Sequence, residues 1–282
     1  MKTLLIISGG TEAVPGIQIA KEMGLHIIVS DGDQSAPGFN YCDDKIVSST
    51  YDINGTIQKA RFYNDNVRKI DGVISIASDV PLTVASVAHK LGLPSIPLQT
   101  AKISMDKVKM KESFVENNIP CPKFKLLNNF DELSSAVSKW GFPCVIKPID
   151  SRGARGVIQL REDVDLNWAY NYSMEMSPSK KVMIEKFLDG PQISSESIIT
   201  NYTCYTTGMS DRNYEHIKKY YPFIIENGGD LPSRFRKDFY NDLNDLITRI
   251  SKSFNIKNGV IKGDIVIHNN RPYVIEMAPR LS

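Results

Sequence analysis

Cysteine and histidine are scarce in this chain of 282 residues, with four of each and none at metal-ligand spacing. Cys42, Cys121, Cys144 and Cys204 form no C-x-x-C pair, and His26, His89, His216 and His268 fit no zinc pattern. Neither a disulfide framework nor a zinc site is expected, and the thiols read as free in a reducing cytoplasm. No apolar run approaches the ~18 residues that mark a membrane-spanning helix. The opening MKTLLIISGGTEAV has only residues 4–7 as an apolar core, short of the ~7–15 residues of a signal-peptide core. It reads as a buried first strand meeting a glycine turn, with nothing pointing to export. Neither sign of charge dominates: 34 Lys+Arg against 32 Asp+Glu leave a net charge of +2. That removes the bulk electrostatic case for a nucleic-acid or membrane partner, and the clusters DKVKMK and HIKKYY read as solvated faces. Missing too are internal repeats and low-complexity tracts. There is no G-x-G-x-x-G fingerprint, which argues against an NAD enzyme, and no Walker G-x-x-x-x-G-K-[ST].

What remains is a globular composition, 41% hydrophobic and 23% charged, with room for about two domains at roughly 100–200 residues each. Residues 1–100 alternate. Strands are predicted at 4–8, 26–30, 45–47 and 72–76, and helices at 17–23, 53–66 and 81–91. Such alternation implies βαβ units and a parallel, Rossmann-like sheet. Its ligands belong at the C-terminal strand ends, here residues 8–10, Asp31 and residues 77–79. Residues 101–282 differ. A helix over 100–118 runs into the proline-marked IPCPKF, which suggests a linker near 95–120. Strands follow at 124–127, 182–187, 194–200 and 203–209, with helices at 131–140, 163–176 and 231–254. Strands 260–268 and 272–277 close on HNNR as a hairpin. This half reads as α+β with antiparallel sheets, including a smaller subdomain over about 120–190.

Three stretches carry chemistry. In VIKPIDSRGARGV, Lys147 has apolar neighbours along its strand. A desolvated ammonium needs an anion. The loop from Ser151 through Gly153 to Gly156 can offer backbone N–H groups, Arg152 and Arg155 add charge, and phosphate is the natural guest. In VMIEKFLDGPQISSES, Glu185 and Lys186 lead into Phe187 and Leu188 before a turn. Such a segment can give a base an apolar slot and main-chain donors and acceptors. In GVIKGDIVIHNNRPYVIEMAPR, Asp264 and Glu276 sit in neighbouring strands with apolar flanks. Converging carboxylates raise each other's pKa unless a cation stands between them. Magnesium takes oxygen ligands, typically one or two carboxylates with substrate phosphates. Each stretch alone has a plainer alternative: a surface hairpin with a salt-bridged lysine, an amphipathic strand, or carboxylates paired with Lys262 and Arg271.

Together, in this order, MDKVKMK, VIKP, SRGARG, IEKFLDGPQIS and IEMAPR resemble the motifs of the ATP-grasp superfamily. The N-terminal half with SDGDQSAPG is similar to the pre-ATP-grasp domain of biotin carboxylase and of purine-pathway ligases. The likeness covers essentially the whole chain. It implies ATP as substrate with Mg2+, replaceable by Mn2+. Lys107 and Lys147 would contact phosphates, under the loop of Ser151, Gly153 and Gly156. Glu185, Lys186, Phe187 and Leu188 would hold adenine between Val145 and Ile275. Gln192 stands where the family often has a ribose-binding acid. Asp264 and Glu276 would ligate the metal, and Arg280, with Lys147, would act on the reacting groups. Two departures stand out: Ala278 replaces a further Asn ligand, and the first carboxylate is Asp rather than the common Glu. The family also usually continues beyond this point, so a further C-terminal part is expected. The implied activity is an ADP-forming carbon–nitrogen ligase acting on a small-molecule carboxylate and an amine. The alternatives are a bicarbonate-activating carboxylase working through carboxyphosphate, and a nucleotide-binding regulatory protein with a degenerate site. Lys219 and Glu226 fall where related enzymes bind substrate, beside Lys218. Asp31 and GGTEAVPG are expected to shape the acceptor pocket. No nucleic acid or membrane partner is expected, and a homodimer is compatible with this reading.

Overall fold

The computed structural model describes residues 1–151 and 153–281, so Arg152 of the predicted glycine loop lies outside the described residues. The chain opens with β1 (Thr3–Ile7), α1 (Val14–Glu22), β2 (His26–Asp31), β3 (Asp44–Val47), α2 (Ile53–Asn66), β4 (Gly72–Ile74) and α3 (Pro81–Lys90). The four strands form a parallel sheet in the order β3-β2-β1-β4. Alternation along β1 explains the two layers around it. Leu5 and Ile7 pack with residues of α2 and α3, while Ile6 packs with Ala13, Ile17 and Ala20 on the other face. This is the predicted parallel, Rossmann-like sheet, and it is covered on both faces.

Next come α4 (Leu98–Ile103) and α5 (Lys107–Glu116). Sequence periodicity predicts one helix over 100–118, but Asp106 breaks it. Its carboxylate caps α5, accepting from the N–H groups of Val108 and Lys109 at 3.0 and 3.1 Å. The expected linker near 95–120 is also corrected. Met110, Phe114 and Ile119 are buried in a core shared with the last helix and sheet, and Pro120 accepts from the Val274 N–H at 2.8 Å. Full burial of a side chain such as Phe114 contributes ~1.5–3 kcal/mol, so this segment is held in place despite its prolines.

The middle of the chain contains β5 (Phe124–Leu127), α6 (Phe130–Trp140), β6 (Cys144–Pro148), β7 (Ile158–Leu160), α7 (Leu166–Glu175) and β8 (Val182–Lys186). The strands make an antiparallel sheet, β5-β8-β6-β7. Ile146, Ile158, Leu160 and Ile184 face a core with α6 and α7. The opposite face carries Val145, Lys147 and Glu185.

The last section contains β9 (Gln192–Thr200), β10 (Thr203–Arg212), α8 (Ile217–Tyr220), β11 (Gly229–Asp230), α9 (Arg236–Ser253), β12 (Asn258–His268) and β13 (Arg271–Ala278). Its antiparallel sheet has the order β11-β10-β9-β12-β13, with α9 against one face. The helix predicted from 231 starts later, because Ser233 is tied to the buried Asp211 instead. The hairpin turn holds Asn269 and Asn270 at φ 49° and 59°, the left-handed pair a two-residue connection needs. Between β10 and β11 the chain crosses to the middle sheet. There Phe223 bridges Ile158, and Pro222 accepts from the Gln159 N–H at 2.8 Å. Beyond β13, Leu281 bridges Ile76 beside β4.

Candidate active site

The free face of the middle sheet and the outer face of the last sheet enclose a cavity of about 680 Å3. Among the residues lining it are all the predicted site residues except Gly156: Lys107, Val145, Lys147, Ser151, Gly153, Glu185, Lys186, Phe187, Leu188, Gln192, Asp264, Ile275, Glu276 and Arg280. Gly156 is at the base of the glycine loop, packed on Pro148 and Met176. Lys218 and Lys219 on α8 are outside the lining, whereas Glu226 is within it.

Lys147 is buried in β6, and its Nζ is 2.9 Å from Glu185 Oε1. The same oxygen is 2.9 Å from Lys111 Nζ on α5. Burial pushes the Glu185 carboxyl up, but the ammonium groups of Lys111 and Lys147 outweigh it and leave the carboxyl below the ordinary range. For Lys111 burial wins over Glu185, and its ammonium titrates below the usual lysine range. Oε1 of the Glu185 carboxylate is therefore committed to two lysines. The Lys186 side chain is likewise occupied. Its ammonium donates to the carbonyls of Trp140, Gly141 and Phe142 at 3.3, 2.9 and 3.1 Å, so only its main chain is left for a ligand. The Phe187 N–H donates to Pro143 O at 3.3 Å. For the next N–H, at Leu188, no protein acceptor occurs among the described residues.

Lys107 begins α5. Its Nζ donates to Ser151 O at 2.9 Å and lies 3.2 Å from Glu276. The glycine loop turns through left-handed backbone at Gly153, Ala154 and Gly156, with φ of 63°, 57° and 76°. Arg155 on this loop also lines the cavity.

Asp264 and Glu276 are direct cross-strand partners. The register slips just beyond them, from Asp264↔Glu276 to Ile265↔Val274. Ile275 is thus the extra residue of a β-bulge, and a bulge breaks strict alternation. Val274 and Met277 turn into the core, while Ile275 and Glu276 both reach the cavity. Asp264 carries two cations, Arg212 Nη1 and Lys262 Nζ, each at 3.0 Å. Burial raises its pKa, but Arg212 and then Lys262 hold the carboxyl below the ordinary range. Burial disfavours the Arg212 charge, and Asp264 and Glu226 more than restore it. Burial is also the main reason that the nearby Tyr214 hydroxyl is pushed up to about 12. Arg280 pairs with Asp79 from the end of the first sheet. Asp31 stays local, accepting from the N–H groups of Gly9 and Asp33 at 2.7 and 3.0 Å.

Among the described residues no group of three or more His, Cys, Asp or Glu is arranged to hold a metal. The facing pair Asp264 and Glu276 still fits magnesium, which is often held by one or two carboxylates with phosphate oxygens completing its shell. Both carboxylates attract cations in the structure, and Ala278 adds no donor. Sequence reasoning missed Lys111, Arg212 and Tyr214, and had Asp79 only as part of a ligand-facing strand end. The only signal for Lys111 is its place one helical turn after Lys107, among apolar α5 positions.

The ATP-grasp domain family matches residues 104–282. The large chain of carbamoyl phosphate synthase from Helicobacter pylori is 23% identical over 255 residues, covering 86% of this chain and 23% of that protein. The chain thus spans about a quarter of the length of such relatives. An N5-carboxyaminoimidazole synthetase from Staphylococcus aureus, solved with ADP, superposes with a TM-score of 0.79 at 20% identity, covering 99% of this chain and 70% of that one. An L-amino acid ligase from Bacillus licheniformis gives 0.78 at 19% identity, with 99% and 67% covered. The match over residues 104–282 shows that the chain belongs to the ATP-grasp family.

Proposed function

We propose that the chain is an ATP-dependent, ADP-forming ligase that phosphorylates a substrate carboxylate for attack by an amine. One observation carries this reading. A single cavity gathers two lysines under a glycine loop, an apolar slot with a free main-chain donor at Leu188, and a facing pair of carboxylates. Adenine would lie between Val145 and Ile275, meeting the main chain of Lys186 and Leu188. Gln192 would take a ribose hydroxyl. Lys107, Lys147 and the N–H groups of the Ser151–Gly156 turn would receive the phosphates. Magnesium, or manganese in its place, would be held by Asp264 and Glu276 and would offset the phosphate charge. In the first step a carboxylate oxygen attacks the γ-phosphorus, and the bond to the ADP oxygen breaks. Next, the amine nitrogen attacks the acyl carbon, the C–O bond to phosphate breaks, and the nitrogen loses a proton. The protein's part is positioning and charge stabilisation, a role assigned to Arg280 and Lys147, which both line the cavity.

The relatives' names support this reading, one being an amino acid ligase and another a synthetase complexed with ADP. Two of the names, carbamoyl phosphate synthase and carboxyaminoimidazole synthetase, favour a second reading in which bicarbonate is the activated carboxylate. ADP formation triggered by bicarbonate alone separates the two. The first test is a thermal shift with ATP and Mg2+. At free ligand ~100-fold above Kd, binding stabilises by roughly 2.7 kcal/mol, which is several degrees at about 2–4 °C per kcal/mol. A shift that requires Mg2+ and shrinks in Glu276→Gln is expected. No shift with either metal would overturn the proposal.

A further inference from the structure

The end of α7 and the bend behind it hold the glycine loop at two points. At the first, both oxygens of the Asp150 carboxylate are engaged. Oδ1 accepts from the Ser177 hydroxyl at 2.7 Å and Oδ2 from the Ser179 N–H at 2.9 Å. Ser177 is buried and is itself fixed, because its oxygen accepts from the Lys181 N–H at 3.0 Å. Burial pushes the Asp150 carboxyl up, but its bonds to Ser179 and Ser177 hold it below the ordinary range. It therefore stays ionised and purely an acceptor. At the second point, the Ser173 hydroxyl donates to Gly156 O at 2.7 Å. Ser173 lies within α7 and is fully buried. Serine is a mediocre choice for a helix interior, and a buried hydroxyl needs a partner. Here that partner is the loop.

Asp150 and Ser173 both lie outside the cavity lining. Between the two anchored points, Gly153 and Ala154 turn through left-handed backbone and Arg155 reaches the cavity. A loop fixed at both ends has fewer conformations to give up when a ligand orders it, so preorganisation converts directly into affinity. The apolar slot is built elsewhere, from Val145 on β6, Ile275 on β13 and the segment after β8.

We propose that Asp150 and Ser173 are positioning residues, which clamp the glycine loop at both ends and thereby set how tightly the polyphosphate of the nucleotide is held. This rests on the ligase reading, which supplies the nucleotide.

The test titrates the full chain by calorimetry with Mg2+ATP and with adenosine, which carries base and ribose but no phosphate. The wild type should bind Mg2+ATP more tightly than adenosine. Ser173→Ala and Asp150→Ala should each weaken Mg2+ATP by about tenfold, the worth of one hydrogen bond, and leave adenosine unchanged. Asp150→Asn keeps one acceptor oxygen and should recover part of the loss, which packing alone would not give. Ser177→Ala removes a partner of Asp150 and should act the same way, a second measurement if Asp150→Ala does not fold. Equal weakening of adenosine and Mg2+ATP would make these residues general supports of the middle sheet and overturn the proposal. Unchanged Mg2+ATP affinity in the variants, or a wild type that prefers adenosine, overturns it as well. If the wild type binds neither ligand, the ligase reading fails first, and this proposal with it. If the variants behave as expected but no carboxylate and amine elicit ADP, the ligase reading fails alone and the clamp stands.

Discussion

Glu185 shares one oxygen between two ammonium groups, Lys111 and Lys147, each 2.9 Å away, with all three side chains nearly sealed from water. The trio carries one net positive charge, so its members are not equivalent. Glu185→Gln leaves two buried lysines with no acid, the kind of broken pair that costs about 3–5 kcal/mol. Lys111→Met leaves a matched pair and should cost clearly less, as urea unfolding would show. Equal losses would mean that packing rather than charge governs the site. The trio also predicts a pH dependence. The Glu185 carboxyl is held low in the folded chain, so as the pH falls the unfolded chain takes up the proton first. Its contribution to stability is whole above the ordinary glutamate value of about 4.3 and drains away below it. The stability of Glu185→Gln should therefore fall less steeply on acidification below about pH 4.3. A parallel fall in both proteins would remove Glu185 as a source of acid sensitivity.

The loop between β6 and β7 contains two glycines that the sequence treats alike and the structure does not. Both have left-handed backbone, but an added Cβ at Gly153 meets nothing within 4 Å, whereas at Gly156 it would stand 2.7 Å from Met176 Cβ and 2.8 Å from Pro148 Cγ. Gly153→Ala should cost only the left-handed backbone, about 1–2 kcal/mol. Gly156→Ala should add overpacking of about 1–3 kcal/mol, and its melting temperature should drop visibly further; equal melting temperatures would contradict this. The difference marks the limit of what was legible in the sequence. Glycine, lysine and carboxylate positions stand out because phosphate and metal chemistry demand those residue types, and the parallel and antiparallel halves follow from their alternation patterns. Tertiary choices do not stand out. The bulge that turns Ile275 beside Glu276 has no composition of its own. Asp106 is one of several acids that can cap a helix, and its effect shows only once α4 and α5 are separate. Glu185 and Lys186 look like free strand charges until Lys111 and the carbonyls after α6 come to meet them.

At the scale of the molecule, the first sheet is fastened to the cavity by a contact between Asp79 and Arg280, 201 residues apart. Such a pair is invisible to any local pattern, and here it sits next to a backbone connection. The Ala77 N–H donates to Leu281 O at 3.3 Å, and Ile76 bridges Leu281. An ion pair that is only partly buried, with water still reaching both side chains, adds little to global stability, about 0–1 kcal/mol. Its work is local: it holds the Arg280 segment against the end of β4, so that a cation on the cavity wall is positioned from the first sheet. Asp79→Asn should therefore leave urea unfolding nearly unchanged while hydrogen exchange at Ala77 speeds severalfold, since that amide depends on the docked segment. Amides inside β1 and β2, such as Leu5 and Ile28, belong to a sheet that does not use this contact and should exchange as before. Faster exchange throughout the first sheet would instead mean that Asp79 supports the fold itself. Unchanged exchange at Ala77 would mean that the backbone bridge holds without the ion pair.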